Sequence, residues 1–467
     1  MPQTAATAEE GARAGSTARP TWVHWRIMGC ITLVVMLTYL DRLNIGIAGK
    51  YIQDEFSLSA QTLGWVFSAF LLGYALFQIP GGWLGDRWGG RNTLTLSILW
   101  WSVFTALTAF APRLPLAAWV GVTGSLVTVR FLVGVGEAAS SPGANKVVSG
   151  WMGSGHRAIG SSFTILGIGL GGAITPPAIA WMMQRWGWRS SFVACGALGI
   201  LIAIFWHWYV RNRPEEHRGV NPAELERIRA SAPAHSALGE GKRANPPWGK
   251  MLSSVSVWAL VLGYFCQGYP IYIYHTWFFI YLVKVRHLTI TQGGFWDATP
   301  YIAIAILAPL GGWFSDRASR KWGKKRGRQS AVWLGMFSSA ALIWIGSGIG
   351  SRALAIPLLA LGGGLNMFAA TTFWAACIDL TQEFTASLSG LMNTFGNLGG
   401  WLSPILTAYL ATRFGWRTAL DFAAVVTVAS GLFWFLVDAS QSLDARDVRA
   451  AVPAAGSPGT RSTRSSE

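Results

Sequence analysis

Gly81-Gly82-Trp83-Leu84-Gly85-Asp86-Arg87 recurs later in the chain as Gly311-Gly312-Trp313-Phe314-Ser315-Asp316-Arg317. A second set of matches has nearly the same offset: Gly187-Trp188-Arg189-Ser190 answers Gly415-Trp416-Arg417-Thr418, Leu170-Gly171-Gly172 answers Leu398-Gly399-Gly400, and Pro176 answers Pro404. Both copies of the first stretch close a long apolar run and open a basic break. A bilayer core about 30 Å thick needs roughly 20 apolar residues per helical span. Runs of that kind fall near 26–48, 62–84, 92–112, 117–143, 159–183, 190–210, 254–283, 294–315, 330–349, 353–379, 387–411 and 417–438. The repeat therefore lays six runs over six. The expected fold is an all-α membrane protein with twelve transmembrane helices in two pseudo-symmetric six-helix bundles.

Composition agrees with a chain immersed in lipid. Hydrophobic residues make up 52% of the 467 and charged residues only 12%, against roughly 25% charged in soluble domains. The stretch 211–252, rich in Arg, Glu, Pro and Ala, is too polar for a span and divides the bundles. The expected organisation is a tail at 1–25, a bundle at 26–210, a central loop at 211–252, a bundle at 253–438 and a tail at 439–467. The first tail has no apolar core of its own, so the first span is expected to stay in the protein rather than leave as a signal peptide.

Basic residues set the orientation. Arg87 and Arg91 follow span 2, Lys146 and Arg157 follow span 4, and Arg317, Arg320, Lys321, Lys324, Lys325, Arg326 and Arg328 follow span 8. With the central loop they lie on one side, which the positive-inside rule makes cytoplasmic. Lys50, Lys284 and Arg286 on the other side leave the bias incomplete. Both termini are expected in the cytoplasm, with the protein a multi-pass monomer of the cell inner (plasma) membrane. The net charge of +16 is thus read as topology and not as a nucleic-acid surface, which would gather its charge on a folded soluble face.

Cys30, Cys195, Cys266 and Cys377 each sit in an apolar run without metal-ligand spacing. Gly167–Gly172 and Gly362–Gly364 lack the Lys-Ser/Thr of a phosphate loop. No cofactor, metal or catalytic nucleophile is expected, so the chain is not read as an enzyme.

The loop Gly81-Gly82-Trp83-Leu84-Gly85-Asp86-Arg87-Trp88-Gly89-Gly90-Arg91 resembles the loop signature of the major facilitator superfamily. Tyr39-Leu40-Asp41-Arg42-Leu43-Asn44 in span 1, and Arg130 through Ala139 followed by Pro142 in span 4, are similar to the anion:cation symporter branch, which includes bacterial galactonate and hexuronate transporters. The resemblance implies the major facilitator fold and, for bacterial relatives, proton-coupled uptake of sugar acids. Gly82, Gly85, Asp86, Arg87, Arg91, Asp316 and Arg317 are then gating-loop candidates. Trp151–Arg157 departs from the family pattern, having no acidic residue before the Arg.

A repeat of six-span halves places a cavity between them near the bilayer midplane. Charges at that depth cost about 2.5–3.5 kcal/mol each on insertion scales, so they mark function. Arg42 shares a helical face with Tyr39, and a guanidinium beside a phenol suits a carboxylate with adjacent hydroxyls. Arg42 is assigned the substrate carboxylate; the alternative is a pair with Asp41. Arg130 and Glu137 lie about two turns apart on one face, suiting a proton relay, since burial disfavours a carboxylate while a nearby guanidinium favours it. The resemblance implies that Asp41 is a second proton site, pairing with Arg130 in one state. The alternative there is a static bridge between spans 1 and 4.

Candidate hydroxyl readers come as a cluster: Tyr74 and Gln78 in span 2; Tyr264, Gln267, Tyr272 and His275 in span 7; Thr371, Thr372 and Trp374 in span 10; Asn393 and Asn397 in span 11. Taken singly, each is as well explained by an interhelical hydrogen bond. His275 is either a proton sensor or a hydrogen-bonded core histidine. Asp297 and Asp379 read as gate or helix-end residues. The functional expectation is import of a small organic anion with protons, the partners being that anion, protons and the lipid bilayer, with no nucleic acid. Export of amphiphilic drugs and ligand sensing without transport are the two rival readings.

Overall fold

The computed structural model describes residues 19–152, 157–230, 248–381, 385–441 and 443, and among them there is no β-strand. The first bundle holds α1 (Val23–Phe56), α2 (Ala60–Thr108), α3 (Pro115–Glu137), α4 (Ser140–Trp151), α5 (Arg157–Trp186) and α6 (Trp188–Tyr209). Two short helices, α7 (Pro222–Ala230) and α8 (Trp248–Ser253), belong to the connection. The second bundle holds α9 (Val255–Thr276), α10 (Phe278–Lys284), α11 (Ile290–Asp297), α12 (Thr299–Gly348), α13 (Arg352–Leu380), α14 (Thr385–Phe414) and α15 (Trp416–Phe433). Several run past the apolar stretches that predicted them, because a helix continues through the headgroups wherever its backbone groups stay paired. α1, for example, has 34 residues.

The repeat read from sequence is also a repeat of backbone geometry. α2 contains spans 2 and 3 and reverses at Gly89 (φ 77°, ψ 157°); α12 contains spans 8 and 9 and reverses at Gly323 (φ 81°, ψ 160°). α5 meets α6 at Gly187 (φ 78°, ψ 164°), and α14 meets α15 at Gly415 (φ 88°, ψ 162°). Such angles are open to glycine and strained for other residues. Span 4 is made by α3 and α4, with a further break at Gly121.

Small residues let backbones touch, as expected where lipid removes the hydrophobic drive between helices. A Cβ on Gly134 would lie 2.0 Å from the Phe70 carbonyl oxygen, and one on Gly73 2.3 Å from that of Phe131, so α2 and α3 are in backbone contact. α9 and α14 repeat the device in the second bundle through Gly268 and Gly399.

The bundles meet at the end away from the basic loops. Ser68 donates to the Trp401 carbonyl at 2.7 Å, Lys284 to the Gln53 side chain at 2.6 Å, and Thr291 to Gln184 at 2.9 Å. At the basic end the hydrogen bonds among the described residues stay within one half. Arg91 donates to the His207 carbonyl through Nε at 3.0 Å and NH2 at 2.6 Å, while its backbone N–H donates to Asn212. Arg328 ties Asp316 at 2.6 Å to Asp379 at 2.9 Å, and Lys324 reaches Asp379 at 2.8 Å. Arg87 and Arg317 lie over Trp83 and Trp313 at 5.3 and 5.9 Å. Arg91 thus joins span 3 to the end of span 6, and Asp316 and Asp379 share one arginine inside the second half. The Asp86 side chain and residues 153–156 lie outside the described residues.

The connection is more than a polar loop. Glu224 of α7 is fully buried against the start of α1, accepting from the His24 backbone N–H at 2.9 Å and from the Thr21 hydroxyl, with His24 Nδ1 at 2.6 Å. Burial pushes the Glu224 carboxyl up, but these hydrogen bonds outweigh it and hold the group below its usual range.

Candidate functional site

A cavity of about 600 Å³ lies between the bundles. Of the residues singled out from sequence, Tyr39, Arg42, Tyr74, Tyr264, Gln267, Tyr272, His275, Thr371, Trp374, Asn393 and Asn397 line it. Gln78 and Thr372 do not. Thr372 follows Thr371 by one residue, about 100° round the helix, and so turns into packing where it is fully buried. Gln78 lies one turn beyond Tyr74 and off the wall. Asn145 and Thr164 line the cavity unforeseen, as do Ile168, Ile304, Ala308 and Ile378, whose apolar character made them indistinguishable from packing residues in the sequence.

Arg42 presents a side chain 14% exposed and donates through Nε to Glu137 Oε1 at 2.5 Å. Glu137 is wholly buried, and its second oxygen has no partner. Span 1 thus pairs with span 4 through Arg42, not through Asp41. Asp41 and Arg42 are consecutive, so they point about 100° apart, and only Arg42 faces the cavity. Asp41 and Arg130 are each 1% exposed. They feel one another's charge, yet both Asp41 oxygens and two Arg130 nitrogens, Nε and NH1, make no hydrogen bond. Two carboxyls and two guanidiniums are therefore gathered within one buried cluster.

Aromatic rings supply what hydrogen bonds do not. The Arg42 guanidinium carbon lies 4.7 Å from the Tyr74 ring centre, 5.7 Å from Tyr39 and 5.4 Å from Phe70. Arg130 lies 5.3 Å from the same Phe70 ring. A desolvated cation over an aromatic face gains about 2 kcal/mol, so Phe70 serves both cations. Its role was illegible in sequence, where it is one apolar residue among many.

On the second bundle, the His275 ring lies 5.8 Å from Tyr39, 5.0 Å from Tyr272 and 5.8 Å from Tyr301. Its Nδ1 has no partner. Tyr272 donates to Asn397 Oδ1 at 3.3 Å, Gln267 to Asn366 at 2.6 Å, and Trp374 Nε1 to the Tyr264 hydroxyl at 3.1 Å. Asp297 is buried at the end of α11, and its Oδ1 makes no hydrogen bond. Among the described residues no His, Cys, Asp and Glu cluster has the makings of a metal site. A chamber of this volume with one cation on its wall, backed by a buried carboxyl, can hold a small organic anion and move a proton.

Comparison with known proteins agrees with this architecture. Residues 31–404 match the family model described as Major Facilitator Superfamily. The chain is 31% identical to an Escherichia coli (strain K12) protein named "Probable galactarate/D-glucarate transporter" over 91% of this chain and 95% of the relative. It is 30% identical to the D-galactonate transporter of Escherichia coli O6:H1 over 90% and 97%. Among solved structures, a bacterial homolog of the human lysosomal transporter Spinster, inward-facing and unoccupied, superposes with a TM-score of 0.71 at 18% identity, covering 91% of this chain and 98% of that one.

Proposed function

Because this chain belongs to the Major Facilitator Superfamily, we propose that it is a secondary active transporter importing a small organic monocarboxylate, a sugar acid or similar anion, together with protons. The observation that carries this reading is the Arg42–Glu137 pair at 2.5 Å, with Arg42 on the cavity wall and Glu137 behind it. While Glu137 is ionised it neutralises the guanidinium. A proton on Glu137 frees Arg42 for a carboxylate, so anion and proton favour each other's binding, and linkage makes that coupling reciprocal. Two carboxyls and two guanidiniums are balanced when ionised; one proton plus one monoanion keeps them balanced. Asp41, beside Arg130, is the second proton carrier in this scheme.

Alternating access follows from rocking the bundles around the cavity. The contacts between Ser68 and Trp401 and between Lys284 and Gln53 close the end away from the basic loops. With basic loops and termini cytoplasmic in a plasma membrane, this arrangement is the inward-facing one. An arginine on the wall speaks against export of cationic amphiphiles, which would meet repulsion there.

The test is uptake of labelled galactonate, glucuronate and other organic acids into proteoliposomes under an inward proton gradient. Accumulation should collapse with an uncoupler and vanish in Arg42→Ala. Accumulation by Arg42→Ala at the wild-type level would refute the reading.

A further inference from the structure

One buried carboxyl of the second bundle has no part in the scheme above. Asp297, the last residue of α11, is 3% exposed, and its Oδ1 makes no hydrogen bond. It does not line the central cavity. Its place is the seam between the bundles at the end away from the basic loops. Ala298 keeps helical angles where α11 passes into α12, so residues three and four apart continue along one face. On that face Thr291 donates to Gln184 of α5 at 2.9 Å. A Cβ on Gly294 would lie 2.7 Å from the Ala180 Cβ and 2.9 Å from the Pro176 carbonyl oxygen, and one on Gly172 would fall 2.4 Å from the Tyr301 ring. Asp297 stands between Gly294 and Tyr301 in this row, so α5 covers it.

That seam suits a carboxylic acid and not a carboxylate. Residues 169–183 of α5 contain no charged or titratable side chain. The titratable groups of the other neighbouring elements are engaged elsewhere: Tyr301 donates to the Tyr274 carbonyl at 3.3 Å, Tyr274 to the Leu359 carbonyl at 2.6 Å, Tyr281 accepts from Arg286 at 2.7 Å, and Lys284 reaches Gln53 at 2.6 Å. His275 meets Tyr301 with ring centres 5.8 Å apart. None of them bonds to Asp297 Oδ1. Pro176 and Pro177 lack the N–H groups that would bond the carbonyls one turn before them. The α5 backbone therefore offers acceptors, and a protonated carboxyl has an O–H to give one. An ionised carboxyl would be a buried charge without a partner, which is strongly unfavourable.

We infer that Asp297 is a third proton site, one that serves closure and not transport. The bundles meet at this end with a proton on Asp297, and loss of that proton while the end is open and wet holds them apart. Off the cavity wall and covered by α5, the group exchanges its proton with water on the far side, so the proton returns to the side it came from. The inference rests on the rocking of the bundles described above and not on the nature of the cargo.

The test is the separation of spin labels on Arg185→Cys and His287→Cys, both exposed at this end on opposite bundles, in the full-length protein with its four native cysteines replaced by alanine. Double electron–electron resonance, without substrate, counts closed and open molecules at each pH. The open-to-closed ratio should rise at least about ten-fold between about pH 5 and pH 8, one proton giving at most about ten-fold per pH unit. Asp297→Asn should cut that rise to less than about two-fold, and Asp297→Glu should restore it, which a merely structural role would not do; Asp297→Ser replaces the first variant if the amide does not fold. A single separation under every condition overturns the rocking and the latch together. Two separations in a ratio that pH leaves unchanged, or a rise in Asp297→Asn as large as in its parent, overturn the latch alone.

Discussion

Glu137→Gln isolates the charge of one buried carboxyl while keeping an oxygen for Arg42 to donate to. At about 4 Å and an effective dielectric of about 20, a pair of unit charges attracts by roughly 4 kcal/mol, and desolvation of both partners offsets part of that. Allowing about 1–3 kcal/mol of net hold on the guanidinium, its loss should tighten anion binding about 10- to 100-fold, since each 1.4 kcal/mol is a factor of ten. Wild-type affinity should fall as pH rises, because ionised Glu137 takes Arg42 back; the variant should lose that part of the dependence and keep only what Asp41 contributes. In proteoliposomes the variant should still exchange internal for external substrate, while gradient-driven accumulation is lost. Exchange and accumulation measured on one preparation, with titration at several pH values, decide the matter. Normal accumulation, or wild-type pH dependence of binding in the variant, would remove Glu137 from the coupling role and leave Asp41 as the carrier.

Gly134→Ala places a methyl 2.0 Å from the Phe70 carbonyl, so α2 and α3 must separate; a destabilisation of about 1–3 kcal/mol by overpacking should appear as a lower thermal midpoint in detergent. Glu224→Gln should lower stability at neutral pH and blunt its acid sensitivity. The folded Glu224 carboxyl titrates below its usual range, so its contribution is complete above the unfolded value of about 4.3 and is lost as pH falls through the lower folded value. Thermal midpoints at pH 7 and at about pH 3, below the unfolded value, test both halves of that statement. Lys284→Ala removes a half-exposed contact to Gln53 and Asp54 worth about 0–1 kcal/mol, so it should open the far end by no more than about five-fold, read by thiol labelling of a cysteine placed at Gln61. Thr372→Val and Gln78→Ala should leave KM for the cargo within about two-fold, a fraction of a kcal/mol, since neither lines the cavity.

The pairing inside the buried cluster shows where a linear reading stops. Spacing placed Arg130 and Glu137 on one face of span 4 and identified Asp41 and Arg42 as costly intramembrane charges, because those statements depend only on helix geometry and on the price of burying charge. Which guanidinium meets which carboxyl depends on the rotation of α1 against α3, and α3 is itself held against α2 by contacts such as Gly134 on Phe70. The packing of α2 against these helices brought Phe70 under two cations.

By itself the sequence determined the twelve apolar runs and the duplication, since hydropathy and repeated motifs are local properties. Only the tertiary structure decided that Arg42 answers Glu137, that Asp316 and Asp379 share Arg328, that α7 docks on α1 through Glu224, and that half the cavity wall is apolar. Those outcomes join residues far apart in the chain, and their energies exist only once helix packing has fixed distances and excluded water.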